Sequence, residues 1–429
     1  MKKQIIIYLF TGMVIAMTGC QIATRSDASI VDVQEAMPLI NPRSIGEDTS
    51  MNQVANGVND FAFRLGAALL EEEQENFVFS PYSVWLPLAA LLNATDETYQ
   101  EELLAALGAS GIDLADVNQA ASRMLFDLTN ERDQEAKNPL RIANAIFVDH
   151  NMSLRGQFAQ DFMDFYRGSV FNVDFTSRDA VDIVNRWAND QTEGRITDII
   201  EEFDPDAVAA IANAIYFSDS WSWEFNINNT IQDIFYGPKE ETEAEFMVRR
   251  GQNQLYFEND TLQATRLGFQ TGGAMYILLP KSGGAVNFLA TMTSDTFAYI
   301  QDQMDFREGR LLLPRFSIEH TVDNLTGALI ALGIPLFDEK TAPLSGGLFY
   351  EDDAVWLESA TQKAMIEIDE QGATAAAVTV LEVVAESAFK LDPQEPFEMI
   401  CNTPFVFILT RPTFDGGSQI LFTGVVNQP

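Results

Sequence analysis

Apolar positions in the first half of the chain recur mostly with the period of an α-helix, whereas later apolar residues form short runs typical of strands. Five helices are predicted, at 61–70, from Ser80-Pro81 onward, and at 96–107, 155–167 and 178–190. Seven strands are predicted, at 141–148, 208–217, 275–279, 311–318, 363–368, 405–409 and 420–425. Helices followed by long, well-separated strands indicate a mixed α+β body with large sheets.

One segment, DEQGATAAAVTVLEVVAES at 369–387, combines two conflicting preferences. Its run Ala375-Ala376-Ala377 favours helix, whereas Val378–Val384 favours strand. No polar face separates the two runs. The pattern is typical of a segment that adopts two states.

The N-terminus, MKKQIIIYLFTGMVIAMTGC, has the pattern of an export signal. Lys2 and Lys3 precede an apolar stretch at 5–16 that is too short to span a membrane stably. Residues 17–20 resemble a bacterial lipobox, in which Cys20 would be lipidated; the alternative is an ordinary signal peptide that ends near Gly19.

The sequence therefore predicts a lipoprotein signal peptide at 1–19, a flexible tether at 20–52 and one folded domain at 53–429. Gln21 lacks the acidic character of inner-membrane retention signals. We expect an exported protein, lipid-anchored to the outer membrane or cell surface, or secreted.

Composition excludes several classes of function. The chain carries 63 acidic and 26 basic residues, a net charge of −37, which disfavours nucleic acid and heparin-like polymers. Membrane contact is expected through the N-terminal lipid only. Its 2 cysteines, Cys20 and Cys401, provide no disulfide scaffold, and Cys401 reads as a small buried residue.

Enzyme signatures are also absent. The 2 histidines, His150 and His320, are isolated in sequence and read as structural or surface residues. No HExxH, GxSxG, CxxC or glycine-rich phosphate loop is present. We predict no catalytic residue, no cofactor and no metal.

Motifs along nearly the whole chain, from about residue 56 to the end, resemble those of the serpin family of serine protease inhibitors. In chain order they are Asn76–Ser83, Arg141–Phe147, Asn185–Ile196, Asn213–Phe225, Leu313–Phe316, Lys363–Gly372, Pro404–Phe407 and Leu421–Gly424. The resemblance implies the serpin fold, in which helices pack around three β-sheets and an exposed reactive-centre loop inserts into the central sheet.

The resemblance also implies a function for the two-state segment. The chain after Glu370 would be the reactive-centre loop, which traps an endopeptidase as an acyl-enzyme by inserting into the sheet. The protein would then be a suicide-substrate inhibitor of serine endopeptidases, with cysteine endopeptidases as a second class, and not an enzyme. A non-inhibitory serpin that acts as a binding or carrier module is the alternative.

The predicted hinge of this loop is free of bulky and charged side chains after Glu370. It comprises Glu370, Gly372, Ala373, Thr374, Ala375, Ala376 and Ala377. Small side chains can slide between two packed strands, and Gly372 can serve as a pivot. The composition favours inhibition.

Counting as in the family, the sixteenth residue after Glu370 is Glu386, which predicts cleavage at Glu386–Ser387 and a glutamyl endopeptidase as target. Cleavage after Ala385 would suit an elastase-like or subtilisin-like enzyme. The segment up to Pro404 is longer than in compact serpins, so Phe389 and Lys390 remain alternatives, and Lys390 would suit a trypsin-like enzyme. We expect a monomer.

The resemblance also implies the residues that control opening of the central sheet. Ser80, Ser83 and Asn213 match the shutter, Trp221 matches the breach tryptophan, and Arg315 with Glu370 matches a breach ion pair. Several residues depart from the family pattern, among them Arg315 in place of the usual Lys and Ala373 in place of the Thr that normally starts the hinge. Gln362 replaces the usual shutter histidine, and Ser218-Asp219 replaces Lys-Gly after Phe217.

Overall fold

The structure is a computed structural model that describes residues 2–12, 49–70, 75–129, 140–196, 200–204, 206–350, 354–373, 395–413 and 417–429. Several predicted site residues lie outside these ranges: Cys20, the hinge residues Thr374–Ala377, and the candidate cleavage residues Ala385, Glu386, Ser387, Phe389 and Lys390. These assignments stay predictions.

Nine helices are present in the described ranges. They are α1 Thr49–Leu69, α2 Pro81–Leu91, α3 Glu97–Ala106, α4 Leu114–Leu128, α5 Gly156–Tyr166, α6 Arg178–Gln191, α7 Ala285–Ala290, α8 Ser294–Asp302 and α9 Leu325–Ala331. Ser80 caps α2 as predicted, since its side chain accepts a hydrogen bond from the Ser83 amide. Helix α1 begins at Thr49, so residues 49–52, predicted as tether, are helical.

Seventeen strands form the sheets of the described chain. They are β1 Lys2–Gly12, β2 Phe77–Phe79, β3 Leu140–Asp149, β4 Gly168–Val173, β5 Ala207–Phe217, β6 Asp219–Ser220, β7 Ile231–Tyr236, β8 Glu241–Glu258, β9 Leu262–Gly268, β10 Ala274–Pro280, β11 Asp305–Pro314, β12 Phe316–Val322, β13 Ala354–Ile368, β14 Gly372–Ala373, β15 Phe397–Ile400, β16 Phe405–Pro412 and β17 Ser418–Val426.

Sheet A is the central sheet and has the strand order β4-β3-β5-β1-β13-β14-β6, with β12 paired to Gln362–Ile368 of β13. All residues of β5 are buried. The chain AVAAIANAIYF therefore reads as a nearly continuous apolar run, as expected for a strand covered on both faces. Helix α6 covers one face through Val184 and Ala188, which belong to one apolar cluster with Phe147 of β3 and Ala210 of β5.

The N-terminal strand β1 is the main departure from the sequence prediction. Residues Lys2–Gly12, predicted as part of a signal peptide, lie between β5 and β13 and run parallel to both strands. Lys2 faces Ala354 at one end, and Gly12 faces Tyr216 at the other. The β-branched run Ile5-Ile6-Ile7 explains why this segment suits a strand. Removal as a signal peptide stays a prediction.

The second hydrogen-bonded layer contains sheets B and C, joined through two long strands. Its order is β15-β11-β8-β9-β10-β16-β17-β2, with β7 paired to the first part of β8. Strand β8 turns at Gly251, where φ is +66°, and the pairing of β11 with β8 shifts register beside it at Gly309. The fold is therefore the α+β arrangement of three sheets that the sequence predicts.

Helices α1, α2 and α4 pack with sheets A and B in one extended apolar core, which includes Phe61, Trp85 and Leu125. Over the ranges that the structure covers, no helix is both long enough and apolar enough to cross a membrane.

Candidate functional site: the hinge and the opening of sheet A

The hinge begins with a buried ion pair between Glu370 and Arg315. Arg315 donates from Nε to both carboxylate oxygens, at 3.0 and 2.9 Å, and from Nη2 to Oε1 at 2.8 Å. The Glu370 side chain is 6% exposed and that of Arg315 32%. Arg315 lies between β11 and β12. It therefore divides the run 311–318, which was predicted as one strand. The planar guanidinium binds the carboxylate through two nitrogens, which a lysine could not do.

Two opposing effects act on the Glu370 carboxyl. Burial would raise its pKa, but hydrogen bonds from Arg315 and from the Thr230 hydroxyl outweigh that effect, and the pKa lies below its ordinary value. Glu370 is therefore ionised at neutral pH and fixes the start of the hinge to Arg315 at the end of β11.

Trp221 is fully buried and contacts the backbone on either side of Glu370. Its indole Nε1 donates to the Asp369 carbonyl at 2.9 Å, and its amide donates to the Gln371 carbonyl at 2.8 Å. Its ring stacks on Phe269 with centroids 4.5 Å apart. Trp221 thus holds the turn between β13 and the hinge, the position predicted for the breach tryptophan.

The first hinge residues already form a short strand of sheet A. In β14, Ala373 pairs with Ile368 on one side and with Asp219 on the other, both antiparallel. Gly372 has φ +152°, and a Cβ atom there would lie 2.3 Å from the Asp219 carbonyl oxygen. Only glycine fits this close approach to β6.

Asp219, one of the two residues that replace the family's Lys-Gly, supports strand β14. Its Oδ2 accepts hydrogen bonds from the Thr271 amide and hydroxyl, and Arg411 donates to the same hydroxyl at 3.0 Å. Burial raises the Asp219 pKa, opposed by the Thr271 hydrogen bonds and by the Arg411 charge. These contacts hold Asp219, and with it strand β6, beside the hinge.

A chain of buried hydrogen bonds crosses sheet A at the shutter. Ser83 donates to the Asn213 side-chain oxygen, and Asn213 Nδ2 donates to Asn144 Oδ1 at 2.7 Å. Asn144 Nδ2 donates to the Tyr166 carbonyl at 2.6 Å. The chain joins α2, β5, β3 and the end of α5, so any sliding of these elements breaks buried polar contacts.

A second buried contact of the shutter joins β13 to the start of α2. Gln362 of β13 is fully buried and accepts from the Ser80 amide at 2.9 Å while its Nε2 donates to the Ser80 carbonyl at 3.0 Å. Because an amide does not titrate in the physiological range, this contact is independent of pH. Gln362 therefore replaces the family histidine with a contact that satisfies both Ser80 backbone groups.

Sequence reasoning missed Asn144 as a shutter residue. The sequence did contain an indication of this role, because Asn144 is the polar residue inside the apolar run IANAIF of β3. The register of β3 and β5 places Asn144 opposite Asn213, and only the fold supplies that pairing.

One group with metal-ligand chemistry occurs in the described part of the chain, away from the hinge. Ligand atoms of Asp149, His150 and Asp174 lie within 4.8 Å of one another where parallel strands β3 and β4 end. The His150 side chain is 52% exposed, in line with its predicted surface position. His320 packs against the ring of Phe77. Cys401 is fully buried, as predicted, and burial raises the pKa of its thiol.

Comparison with known proteins agrees with this geometry. A family model described as Serpin (serine protease inhibitor) matches residues 56–429, and the chain belongs to the serpin family. It is 31% identical to antichymotrypsin-2 of Bombyx mori, over 87% of this chain and 98% of that protein.

Solved structures show the same fold. Serpin48 of the insect Tenebrio molitor is 26% identical, with a TM-score of 0.74 over 90% of this chain and 99% of its own. Human thyroxine-binding globulin, solved in complex with thyroxine, is 23% identical, with a TM-score of 0.76 over 89% of this chain and 100% of its own. Serpins are generally protease inhibitors rather than enzymes.

Proposed function

We propose that this chain is an inhibitory serpin that traps a serine endopeptidase, or as a second class a cysteine endopeptidase, while anchored through Cys20 at the bacterial cell surface. The target enzyme attacks the carbonyl of the reactive bond through its own nucleophile. The peptide bond breaks, the new amino terminus leaves, and the loop remains attached to the enzyme as an acyl group. Insertion of the loop then competes with hydrolysis of that acyl bond.

The register of the hinge carries this proposal. Ala373 already pairs antiparallel with Ile368, and β13 continues for fifteen residues, from Ala354 to Ile368. If the chain continued in that register, residue 387 would come opposite Ala354 at the far end of β13. The length of β13 therefore matches a loop that inserts as far as the Glu386–Ser387 bond, and an acyl-linked protease would be carried the whole length of the sheet.

The composition of the hinge supports the same conclusion. Ala373, the hinge residue that pairs with both β13 and β6, is fully buried in sheet A, and the next residues of the sequence are Thr374 and Ala375–Ala377. Small side chains reduce the steric cost of passing between two packed strands. Strand addition of this type, of which serpin loop insertion is one example, gains main-chain hydrogen bonds on both edges. Val378, Val380 and Val383 then supply good strand formers.

The test of trapping uses residues 21–429, which lack the predicted signal peptide and the lipidated cysteine. The chain is mixed with a glutamyl endopeptidase, an elastase, a subtilisin and trypsin. We expect a complex that survives boiling in detergent with the glutamyl enzyme, and a C-terminal fragment whose mass begins at Ser387. Complexes with elastase or subtilisin and a fragment starting at Glu386 would move the bond to Ala385–Glu386. A trypsin complex with a fragment starting at Leu391 would select Lys390.

Cleavage by all four enzymes without a stable complex, and without a rise in the melting temperature of the cleaved chain, would leave a serpin fold used for binding. The matched control is Thr374→Arg, which places a long charged side chain in the hinge. We expect it to be cleaved at the same bond but to form little or no stable complex, because a charged side chain cannot pass into the buried sheet.

Anchoring is tested separately. Metabolic labelling with a palmitate analogue in a bacterium that processes lipoproteins is expected to label the full chain at Cys20. Cys20→Ala is the control and is expected to remain unlabelled. Equal labelling of both chains would remove the lipid anchor from the proposal, and the absence of label from both would favour an ordinary secreted protein.

A further inference from the structure

We propose that the N-terminal strand β1 occupies the opening of sheet A that the reactive-centre loop needs, so that a chain retaining residues 2–12 cannot insert its loop. The proposal rests on the proposed function and concerns its control. Removal of this segment would free the opening and switch the inhibitor on.

The pairing of β1 with both neighbours is the first support. Its residues face β13 from Ala354 to Ala364 and face β5 from Ala207 to Tyr216, with one irregularity on each side. Both edges of the opening therefore have their backbone groups paired along most of their length. Backbone groups in a buried sheet are costly to leave unpaired, so an occupied opening is favoured over an empty one.

The second support is that β1 and the loop compete for the same positions. If the loop extended the antiparallel pairing of Ala373 with Ile368, residue 377 would come opposite Ala364 and residue 387 opposite Ala354. These are the β13 positions that face Thr11 and Lys2 of β1. With β1 present, β13 has room beyond Ala364 for the loop only as far as residue 376. A loop stopped there could not carry an acyl-linked enzyme along the sheet.

Strand direction also distinguishes the two occupants. The loop follows β13 through a short turn and must run antiparallel to it, as β14 does. Strand β1 runs parallel to β13 and to β5. The parallel strand β1 thus fills the space between β5 and β13 that the loop would fill in the antiparallel direction.

The location of the segment gives the control a physical trigger. Residues 2–12 fall within the signal peptide predicted at 1–19, so one cleavage before Cys20 would detach the whole strand from the mature chain. An unprocessed chain inside the cell would then be unable to trap cellular proteases. Inhibition would appear only after export.

The experiment uses the full chain made by cell-free synthesis, with its mass confirming that residues 1–19 are retained. Ile7→Pro is placed in the middle of β1, where Ile7 faces Ala360 and Ile211. Proline lacks the amide that a central strand must donate and is expected to expel the segment. Ala28→Pro, between the predicted signal peptide and α1, is the matched control.

Two readouts are compared. The first is binding of a labelled synthetic peptide with the loop sequence ATAAAVTVLEVVAE, residues 373–386. We expect Ile7→Pro to bind the peptide at least about tenfold more tightly than the wild-type chain and Ala28→Pro do. This difference corresponds to about 1.4 kcal/mol by which β1 disfavours binding of the peptide. The second is hydrogen exchange of the wild-type chain, in which the amides of residues 2–12 are expected to be protected.

Rapid exchange of residues 2–12 in the wild-type chain, or equal peptide binding by wild type and Ile7→Pro, would overturn the proposal. Failure of the proposed function looks different. If Ile7→Pro binds the peptide and the wild type does not, while neither traps a protease, the occupied opening stands and only the inhibitor function falls.

Discussion

The ion pair at the hinge makes a quantitative prediction about the substitution Glu370→Gln. The change keeps the shape of the side chain but removes its charge, and it turns an amide NH2 group toward the donors of Arg315. Arg315 now makes three contacts of 2.8 to 3.0 Å with a carboxylate that is 6% exposed. Hydrogen bonds to charged groups contribute roughly 1.5–3 kcal/mol, and Arg315 keeps its contact with Glu245. We expect a loss of about 2 kcal/mol.

The measurement is urea unfolding followed by tryptophan fluorescence at pH 7, read at the first unfolding transition because a domain of this size need not unfold in one step. The pH dependence follows from the lowered pKa of Glu370. A carboxyl with a folded pKa below the unfolded value of about 4.3 stabilises the native state above that pH, and the contribution is lost as pH falls through the folded pKa. The difference between wild type and Glu370→Gln should therefore shrink below about pH 4.

Glu245→Gln is the matched control, because Glu245 contacts the same arginine but its side chain is 47% exposed. Exposed pairs contribute roughly 0.2–1 kcal/mol. If Glu370→Gln costs no more than Glu245→Gln, or if its effect persists unchanged at pH 3, the reasoning from burial and charge is wrong.

Three further substitutions test the shutter and the hinge. Asn213→Ala should lower the first urea transition by about 2–3 kcal/mol, since it leaves the Asn144 oxygen without its buried donor, and a cost under 1 kcal/mol would contradict the buried chain. Gln362→His should be as stable as wild type at pH 7.5 but lose more than about 1 kcal/mol at pH 5.5, because a charged imidazole is buried and cannot accept from the Ser80 amide; equal losses at both pH values would count against it. Gly372→Val should abolish pairing of the hinge with β6 through a backbone clash, seen as faster amide exchange of residues 372–373, and unchanged protection would exclude that reasoning.

The sequence predicted the parts of the site in which residue chemistry alone restricts the choice. Ser80-Pro81 marks a helix start in any context, and the structure confirms it. The pairing of Arg315 with Glu370 came from the family resemblance, and the burial of a charged side chain requires such a partner. These signals are local, or come from motif resemblance, and the fold only brings them together.

The sequence could not supply features that depend on register. Strand β13 was predicted at 363–368 but begins at Ala354, because its first part, AVWLESATQ, mixes polar and apolar residues that only the two-layer packing explains. The run 311–318 splits at Arg315, which lies between β11 and β12 and whose guanidinium binds Glu370. Helix α4 was not predicted, although its buried face includes Val117, Ala121 and Leu125.

The match between β13 and the loop separates two kinds of evolutionary change. If the loop inserts as proposed, substitutions on either side of the reactive bond would alter which protease attacks and would leave the fit to sheet A untouched. Each inserted or deleted residue between Gly372 and the bond would shift the final position of a captured enzyme by about 3.3 Å. On the proposed mechanism, the protease specificity of this chain could change by substitution, whereas the number of residues from hinge to bond would be tied to the length of β13.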